Sequence, residues 1–265
     1  MPNLDRIAAK NQEAWTRWAR TGGLYTRPWL ELPRELVLAY VSGKIEVMPE
    51  PYAYMYPREA FRDVGGREVL CLASGGGQQS AFFGLLGARV TVYDLTEAQL
   101  ESDRLAAQHH GYPIATVQGD MRDLSVFSGG SFDIVFQEIS ICFVPDVRPV
   151  YREVARVLRP GGLYRVAHCN PATQLVGEGS WDGQGYRISQ PYGGGELADP
   201  DDELVEFRHL LPDMFNGLVE AGLSIEGVWE DPRHLHPKRD ATPGTYEHML
   251  TWVQQYFAIL ARKPE

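Results

Sequence analysis

A chain of 265 residues, 44% of them hydrophobic, can bury the core of one α/β domain with an elaboration, and no run in it approaches the ~20 apolar residues of a membrane span. Its 25 Lys and Arg against 35 Asp and Glu leave a formal charge of −10 without a basic cluster, which excludes nucleic acid as a general partner. Three cysteines, Cys71, Cys142 and Cys169, stand far apart in apolar contexts, no Cys/His spacing suits a metal, and MPNLDRIAAKNQEAW holds no signal-peptide block; a reduced, cytoplasmic protein is expected.

Residues 1–20 read as an amphipathic helix, with Leu4, Ile7, Ala8, Trp15 and Trp18 near helical spacing and Thr21-Gly22-Gly23 as its stop. Tyr25-Thr26-Arg27-Pro28-Trp29, a short helix over 35–41 and an irregular stretch rich in Pro, Tyr and Met over 44–66 lead to the first strand. Trp15, Trp18, Tyr25 and Trp29 make this segment too aromatic for a linker. Residues 1–65 are therefore expected to form a helical arm that packs on the main domain and closes over a ligand. Tyr25 or Trp29 would face that ligand, and Gly22-Gly23 would be the hinge.

Residues 68–95, EVLCLASGGGQQSAFFGLLGARVTVYDL, organise the remainder of the chain. Val69 to Leu72 is apolar enough for a strand buried on both faces; Ala73 to Gly77 is a turn, Gln78 to Leu86 a short helix, and Arg89 to Tyr93 a second strand ending on Asp94. Glycines let such a turn approach a ligand, and a carboxylate at the tip of the second strand suits a ribose diol. Neither G-x-G-x-x-G nor G-K-[ST] is present, so the dinucleotide fingerprint and the phosphate cradle are both absent. The reading left is a nucleoside without phosphates, its amino-acid moiety against the turn. This stretch resembles motif I and the acidic motif of class I S-adenosylmethionine-dependent methyltransferases, a pattern written VLDLGCGxG with an acid ending the second strand. Cys71 stands where that pattern has an aspartate, and Ala73 where it has its first glycine.

Thr96-x-x-Gln99 has the form of a capping box, opening a helix that ends at Gly111. Ile114 to Val117 is a third strand. It leads to Gly119-Asp120-Met121, where an acid can accept from an adenine amino group, similar to the family's G-D motif. Ser131 to Gln137 is a fourth strand that delivers Gln137, Glu138, Ile139 and Ser140 to the sheet edge where ligands bind. A strongly amphipathic helix over 146–158 and a fifth strand over 163–168 follow, and VYREVARVLRPGGLY resembles the family's helix–turn–strand after motif IV. Residues 170–209 turn irregular and glycine-rich, with strand candidates at 186–189 and 204–208; an insertion there would shape a substrate pocket. A helix over 211–221 and strands over 223–229 and 251–262 close the chain. Asn170-Pro171-Ala172-Thr173 lacks the aromatic of a base-methylating N-P-P-[YF] motif. His234 and His236 read as loop histidines without a third metal ligand, and His168 as a core residue.

The resemblance implies a three-layer α/β sandwich around a seven-stranded, mostly parallel sheet whose last strand is antiparallel. Residues 1–65 would be the arm, and 66–265 the methyltransferase domain with its insertion at about 170–209. It implies S-adenosylmethionine as cofactor, S-adenosylhomocysteine as product, and a small-molecule acceptor, with a homodimer left open. Cofactor contacts are expected from Ala73, Ser74, Gly75, Gly76, Gln78, Asp94, Leu95, Gln99, Asp120, Met121, Gln137 and Ile139. Methyl transfer from a sulfonium needs a base only where the acceptor arrives protonated. Glu138, Tyr25 and His209 are the candidates, then Tyr186 and Tyr192. The alternative is a catalytically idle nucleoside-binding regulatory domain, suggested by Cys71 and the lack of an evident base; an NAD-dependent enzyme is a third reading, behind both.

Overall fold

The computed structural model describes residues 5–197, 203–232 and 241–265. Helix α1 (Arg6–Thr21) starts where the Asp5 carboxylate accepts the Ala8 N–H at 2.9 Å and stops at Gly22, whose φ of 73° is the usual glycine exit from a helix. After α2 (Arg34–Val41) come β1 (Glu68–Leu72), α3 (Gln79–Leu85), β2 (Arg89–Asp94), α4 (Glu97–His110), β3 (Ile114–Gln118), β4 (Phe132–Gln137), α5 (Arg148–Val157) and β5 (Leu158–Cys169). The chain then runs through β6 (Gly195–Leu197), β7 (Glu206–Arg208), α6 (Leu211–Glu220), β8 (Ser224–Glu230), α7 (Tyr246–Leu250) and β9 (Tyr256–Arg262).

Seven strands form one sheet in the order β3-β2-β1-β4-β5-β9-β8, and β9 alone runs antiparallel to its neighbours β5 and β8. The period of two along β1 divides the core. Val69 and Cys71 face one layer, with Phe82, Phe83 and Phe136; Leu70 and Leu72 face the other, with Tyr151, Val154 and Leu218. The order reverses between β1 and β4, so a crevice opens beyond the carboxyl ends of those two strands. None of the described helices is long and apolar enough to cross a membrane.

The N-terminal region divides differently from the expected arm. Trp29, Leu32, Val37, Tyr40, Met48, Met55, Phe61 and Val64 share one core with the sheet, so no packing boundary falls near residue 65. Only α1 and the turn after it lie outside that core. The last strand begins at Tyr256 rather than Thr251, because the N–H groups of Thr251, Trp252 and Val253 turn back onto the end of α7 instead of pairing with a strand. Residues 186–189 form no strand; Ile188 makes a single bridge to Val176, and the strand pair of the insertion is β6 with β7.

Candidate active site

The crevice is a cavity of ≈ 1240 Å³, walled by the strand ends on one side and by α1, the insertion and α7 on the other. Its floor is the turn after β1. The Ala73 N–H donates to the Tyr93 carbonyl at 2.7 Å, and the Gly75 N–H to Asp94 Oδ2 at 2.9 Å. A Cβ on Gly75 would stand 2.6 Å from the Gln99 Cβ and 2.9 Å from the Asp94 carboxyl carbon, so crowding demands glycine there. At Gly76 and Gly77 the demand is conformational as well, with φ of 118° and 75°. Both amides turn away from the cavity. Gly76 donates to Asp103 Oδ2 at 2.9 Å and Gly77 to Asp103 Oδ1 at 3.0 Å. Ala73, Ser74, Gly75 and Gln78 line the cavity; Gly76, expected among them, does not, since Asp103 takes its N–H and the backbone of Tyr25 and Thr26 covers it.

Asp94 lies at the cavity wall, 9% exposed. Its Oδ1 accepts both the Thr96 N–H at 2.9 Å and the Thr96 hydroxyl at 3.0 Å. The expected capping box is therefore absent, because the Thr96 hydroxyl serves Asp94 instead of the helix. Burial pushes the Asp94 carboxyl above its ordinary range, against the pull of these donors. Gln99, released from the box, lines the cavity with its Oε1 buried and unpartnered. Leu95, Asp120, Met121, Glu138 and Ile139 line it too. The Asp120 carboxylate holds Arg122 through Nε at 3.0 Å and Nη2 at 2.5 Å, and Arg122 Nη1 reaches Asp5 Oδ2 at 2.6 Å. Gln137 belongs to the core rather than the cavity: it is fully buried, accepts the Tyr164 hydroxyl at 2.5 Å and donates to the Ser140 hydroxyl at 3.1 Å.

The three base candidates separate. Tyr25 lines the cavity and is 54% exposed. Glu138 also lines it, with Oε2 2.5 Å from Nη1 of the fully buried Arg165. His209 lies outside it; the ring Nε2–H donates to the Ile141 carbonyl at 3.2 Å, and burial lowers its pKa. Tyr186 stands apart, bonded to His248 Nδ1 at 2.7 Å, and the exposed Tyr192 is not in the wall either. Trp29 packs on Tyr52 and Tyr54 instead of facing the cavity. His168 is the buried histidine the sequence suggests, 3.1 Å from the Tyr151 hydroxyl and pushed down to about 3 by burial. His234 and His236 lie outside the described residues.

Sequence reasoning missed four features. Cys71 sits in the core as expected, but Cys142 and Cys169 line the cavity, and the neighbouring Cys169 thiol together with burial raises the Cys142 pKa. Arg208 gathers the insertion, donating to the carbonyls of Gln174 at 2.9 Å and of Pro191 and Gly193 at 3.3 Å, and to Gln190 Oε1 at 2.7 Å. Asp103 holds the glycine turn. The fourth is how α1 roofs the cavity. Gln12 Nε2 donates to the Leu95 carbonyl at 2.8 Å, beside Asp94. The preceding residue, Asn11, pairs with the Val205 backbone in both directions, at 3.0 and 2.7 Å. Trp18 Nε1 and Arg17 both reach Glu203 at 2.7 Å, and Trp15 lies edge-on to Phe143. No local pattern encodes contacts of such sequence separation.

A family model described as a methyltransferase domain matches residues 70–166. A protein of Bacillus subtilis (strain 168) named uncharacterized methyltransferase YbaJ is 34% identical over 244 residues, covering 86% of this chain and 92% of that one. The S-adenosylmethionine-dependent methyltransferase of Mesorhizobium loti superposes with a TM-score of 0.62 at 22% identity, over 80% of this chain and 95% of that one. Burkholderia thailandensis 1,6-didemethyltoxoflavin-N1-methyltransferase, solved with 1,6-didemethyltoxoflavin and S-adenosylhomocysteine, gives 0.59 at 18% identity, over 100% and 93%. At such identities the superpositions speak for the fold, while the Bacillus relative, matched over nearly its whole length, speaks for the family. The chain is a class I S-adenosylmethionine-dependent methyltransferase.

Proposed function

We propose that the acceptor is a small molecule held between the strand ends and the insertion, with α1 closing over it. The observation that carries this reading is the size and walling of the cavity. A single drug-sized ligand occupies a pocket of roughly 300–1,000 Å³, whereas ≈ 1240 Å³ leaves room beside a nucleoside cofactor for a second compact molecule. The Burkholderia enzyme, similar over the whole of this chain, was solved with 1,6-didemethyltoxoflavin beside S-adenosylhomocysteine.

The residues at the strand ends fit the cofactor. Asp94 presents a buried carboxylate, and the orphaned Gln99 Oε1 adds an acceptor beside it for hydroxyl donors. Ala73, Ser74 and Gly75 offer close backbone approach, Asp120, Met121 and Ile139 surround the base, and Gln78, held by the Arg27 carbonyl at 3.0 Å, closes the amino-acid end. S-adenosylmethionine, when bound, supplies a methyl group already activated on a sulfonium. What remains for the chain is to position the acceptor and exclude water. Trp15, Trp18, Tyr25, Tyr54 and Phe143 give the roof its apolar bulk. Tyr25, exposed and hydroxyl-bearing, is the group best placed to orient a polar acceptor. Glu138, bound to Arg165, fixes the floor and can take a proton only by sharing that ion pair.

Titration with S-adenosylmethionine and S-adenosylhomocysteine, followed by turnover assays on a panel of compact phenols, heterocyclic amines and thiols, tests the reading. Methylation of members of the panel is expected. Methylation confined to proteins or nucleic acids would overturn it, and cofactor binding with no turnover on any acceptor would favour the regulatory alternative.

A further inference from the structure

The residue that grips the glycine turn most tightly never touches the cavity. Asp103, on the inner face of α4, is completely buried. Its Oδ1 accepts the Gly77 N–H at 3.0 Å and the Ser80 hydroxyl at 2.5 Å, and its Oδ2 accepts the Gly76 N–H at 2.9 Å. Among the described residues no Lys, Arg or His forms an ion pair with it; Arg6 and Arg17 of α1 go to Glu196 and Glu203 instead. The titratable groups around it are Asp94 at the end of β2, Cys71 of β1 and Tyr112 just past α4, while α3 and β3 carry none.

A buried carboxylate without a counter-ion is unfavourable unless strong donors surround it, and here all three donors come from one short stretch, Gly76 to Ser80. That stretch needs holding. Ala73, an L-residue, is held at φ of 46°, while Gly76 at 118° and Gly77 at 75° use the wide freedom of glycine and need an outside contact to stay in one conformation. From the opposite side the arm contributes the Trp29 N–H to the Gly77 carbonyl at 3.0 Å. Cys71, where the motif I pattern carries an aspartate, is near enough to feel the Asp103 charge. The turn therefore has an acid beside it, delivered by the helix after β2 rather than by the strand before the glycines.

We propose that Asp103 is the positioning acid of the cofactor turn, standing in for the carboxylate that β1 lacks at Cys71. By fixing the Gly76 and Gly77 amides it keeps Ala73, Ser74 and Gly75 in the conformation that lines the cavity and leaves the Gly75 N–H on Asp94. The role is fullest in the anion, which accepts all three bonds; a protonated carboxyl turns its O–H to the Ser80 oxygen and loses that hydroxyl as a donor.

The test is calorimetric titration of the full chain with S-adenosylhomocysteine between pH 6 and 8.5, for wild type, Asp103→Asn and the double variant Cys71→Asp/Asp103→Asn. Burial pushes the Asp103 carboxyl up to about 7, so wild-type affinity is expected to weaken severalfold as pH falls through that value. Asp103→Asn should bind at least tenfold more weakly at pH 8 with no such pH step, and the double variant should recover at least threefold. Wild-type affinity that is flat in pH overturns the proposal, and that arm holds even where Asp103→Asn fails to fold. Unchanged affinity in a folded Asp103→Asn overturns it equally. The proposal rests on the cofactor reading of the cavity: absence of binding by the wild type sinks both, whereas wild-type binding indifferent to Asp103 sinks this one alone.

Discussion

The two ends of the cavity are built by different means. At the cofactor end, the lining residues sit within a few positions of a strand terminus, and Ala73–Gly75 with Gln78, Asp94–Leu95, Asp120–Met121 and Glu138–Ile139 arrive in chain order as the parallel sheet is wound. At the acceptor end almost nothing is regular. The wall from Thr173 to Leu197 holds two short turns of 3-10 helix and half of a three-residue strand pair, and it keeps its shape because Arg208 collects four acceptors from it and α1 is stitched to Val205 and Glu203. The contrast separates what a family shares from what an individual member chooses. Strand-end geometry recurs wherever the sheet recurs, while a wall held by a few long side chains can be rebuilt without disturbing it.

The largest expected effect lies at the cofactor end. Asp94 accepts three bonds from the protein, which leaves a site on Oδ2 for a charge-assisted bond from the ribose diol, worth about 1.5–3 kcal/mol. Asp94→Ala should weaken S-adenosylhomocysteine binding by at least tenfold in a calorimetric titration, with the chain still folded by circular dichroism. Equal affinity in the variant would mean that a different acid holds the ribose, and the strand-end logic would lose its strongest member.

The acceptor end should respond on a different axis. The Asn11 side chain, 2% exposed, pairs with the Val205 backbone as a strand neighbour would, and its removal leaves a buried N–H and C=O unpaired at about 1–3 kcal/mol each. Asn11→Ala should loosen α1 from the insertion, raising the acceptor KM or lowering kcat roughly tenfold while cofactor affinity stays within about threefold. Loss of cofactor affinity on the same scale would show that the ends are one unit, coupled through Gln12 and Arg122, and the contrast drawn above would fail.

Legibility followed the same division. The seven strands, their order of appearance and the acids at their tips could be read because parallel strands buried on both faces are short apolar runs and their ends are turns. Gly76 and Gln137 were misplaced for one physical reason: a residue at the right position in a motif can still point inward, and Asp103 and Tyr164, remote in the chain, decide that it does. Asp103 itself looks like any polar residue of a surface helix until α4 is laid against the turn. The arm's aromatic content announced packing, but Trp29 and Trp15 are equivalent as letters, and only the fold sends one into the core and the other over the cavity.

The smallest expected effect concerns Ala73, where the motif's first glycine is missing and yet φ is 46°. Two terms of similar size oppose each other there. An L-residue in the left-handed region costs roughly 1–2 kcal/mol, which Ala73→Gly would recover. Glycine in turn widens the unfolded ensemble and gives back about 0.4–1 kcal/mol, so the net should be a stabilisation of no more than about 1.6 kcal/mol. In thermal unfolding this is a rise in Tm of a few degrees at most, with cofactor affinity unchanged, because the Ala73 N–H keeps its bond to Tyr93 whichever side chain is present. A clear fall in Tm would mean that the Ala73 methyl contributes packing that outweighs its strain. A fall in cofactor affinity at constant Tm would mean that the methyl touches the ligand, making even the shared end of the cavity adapted to what this chain binds.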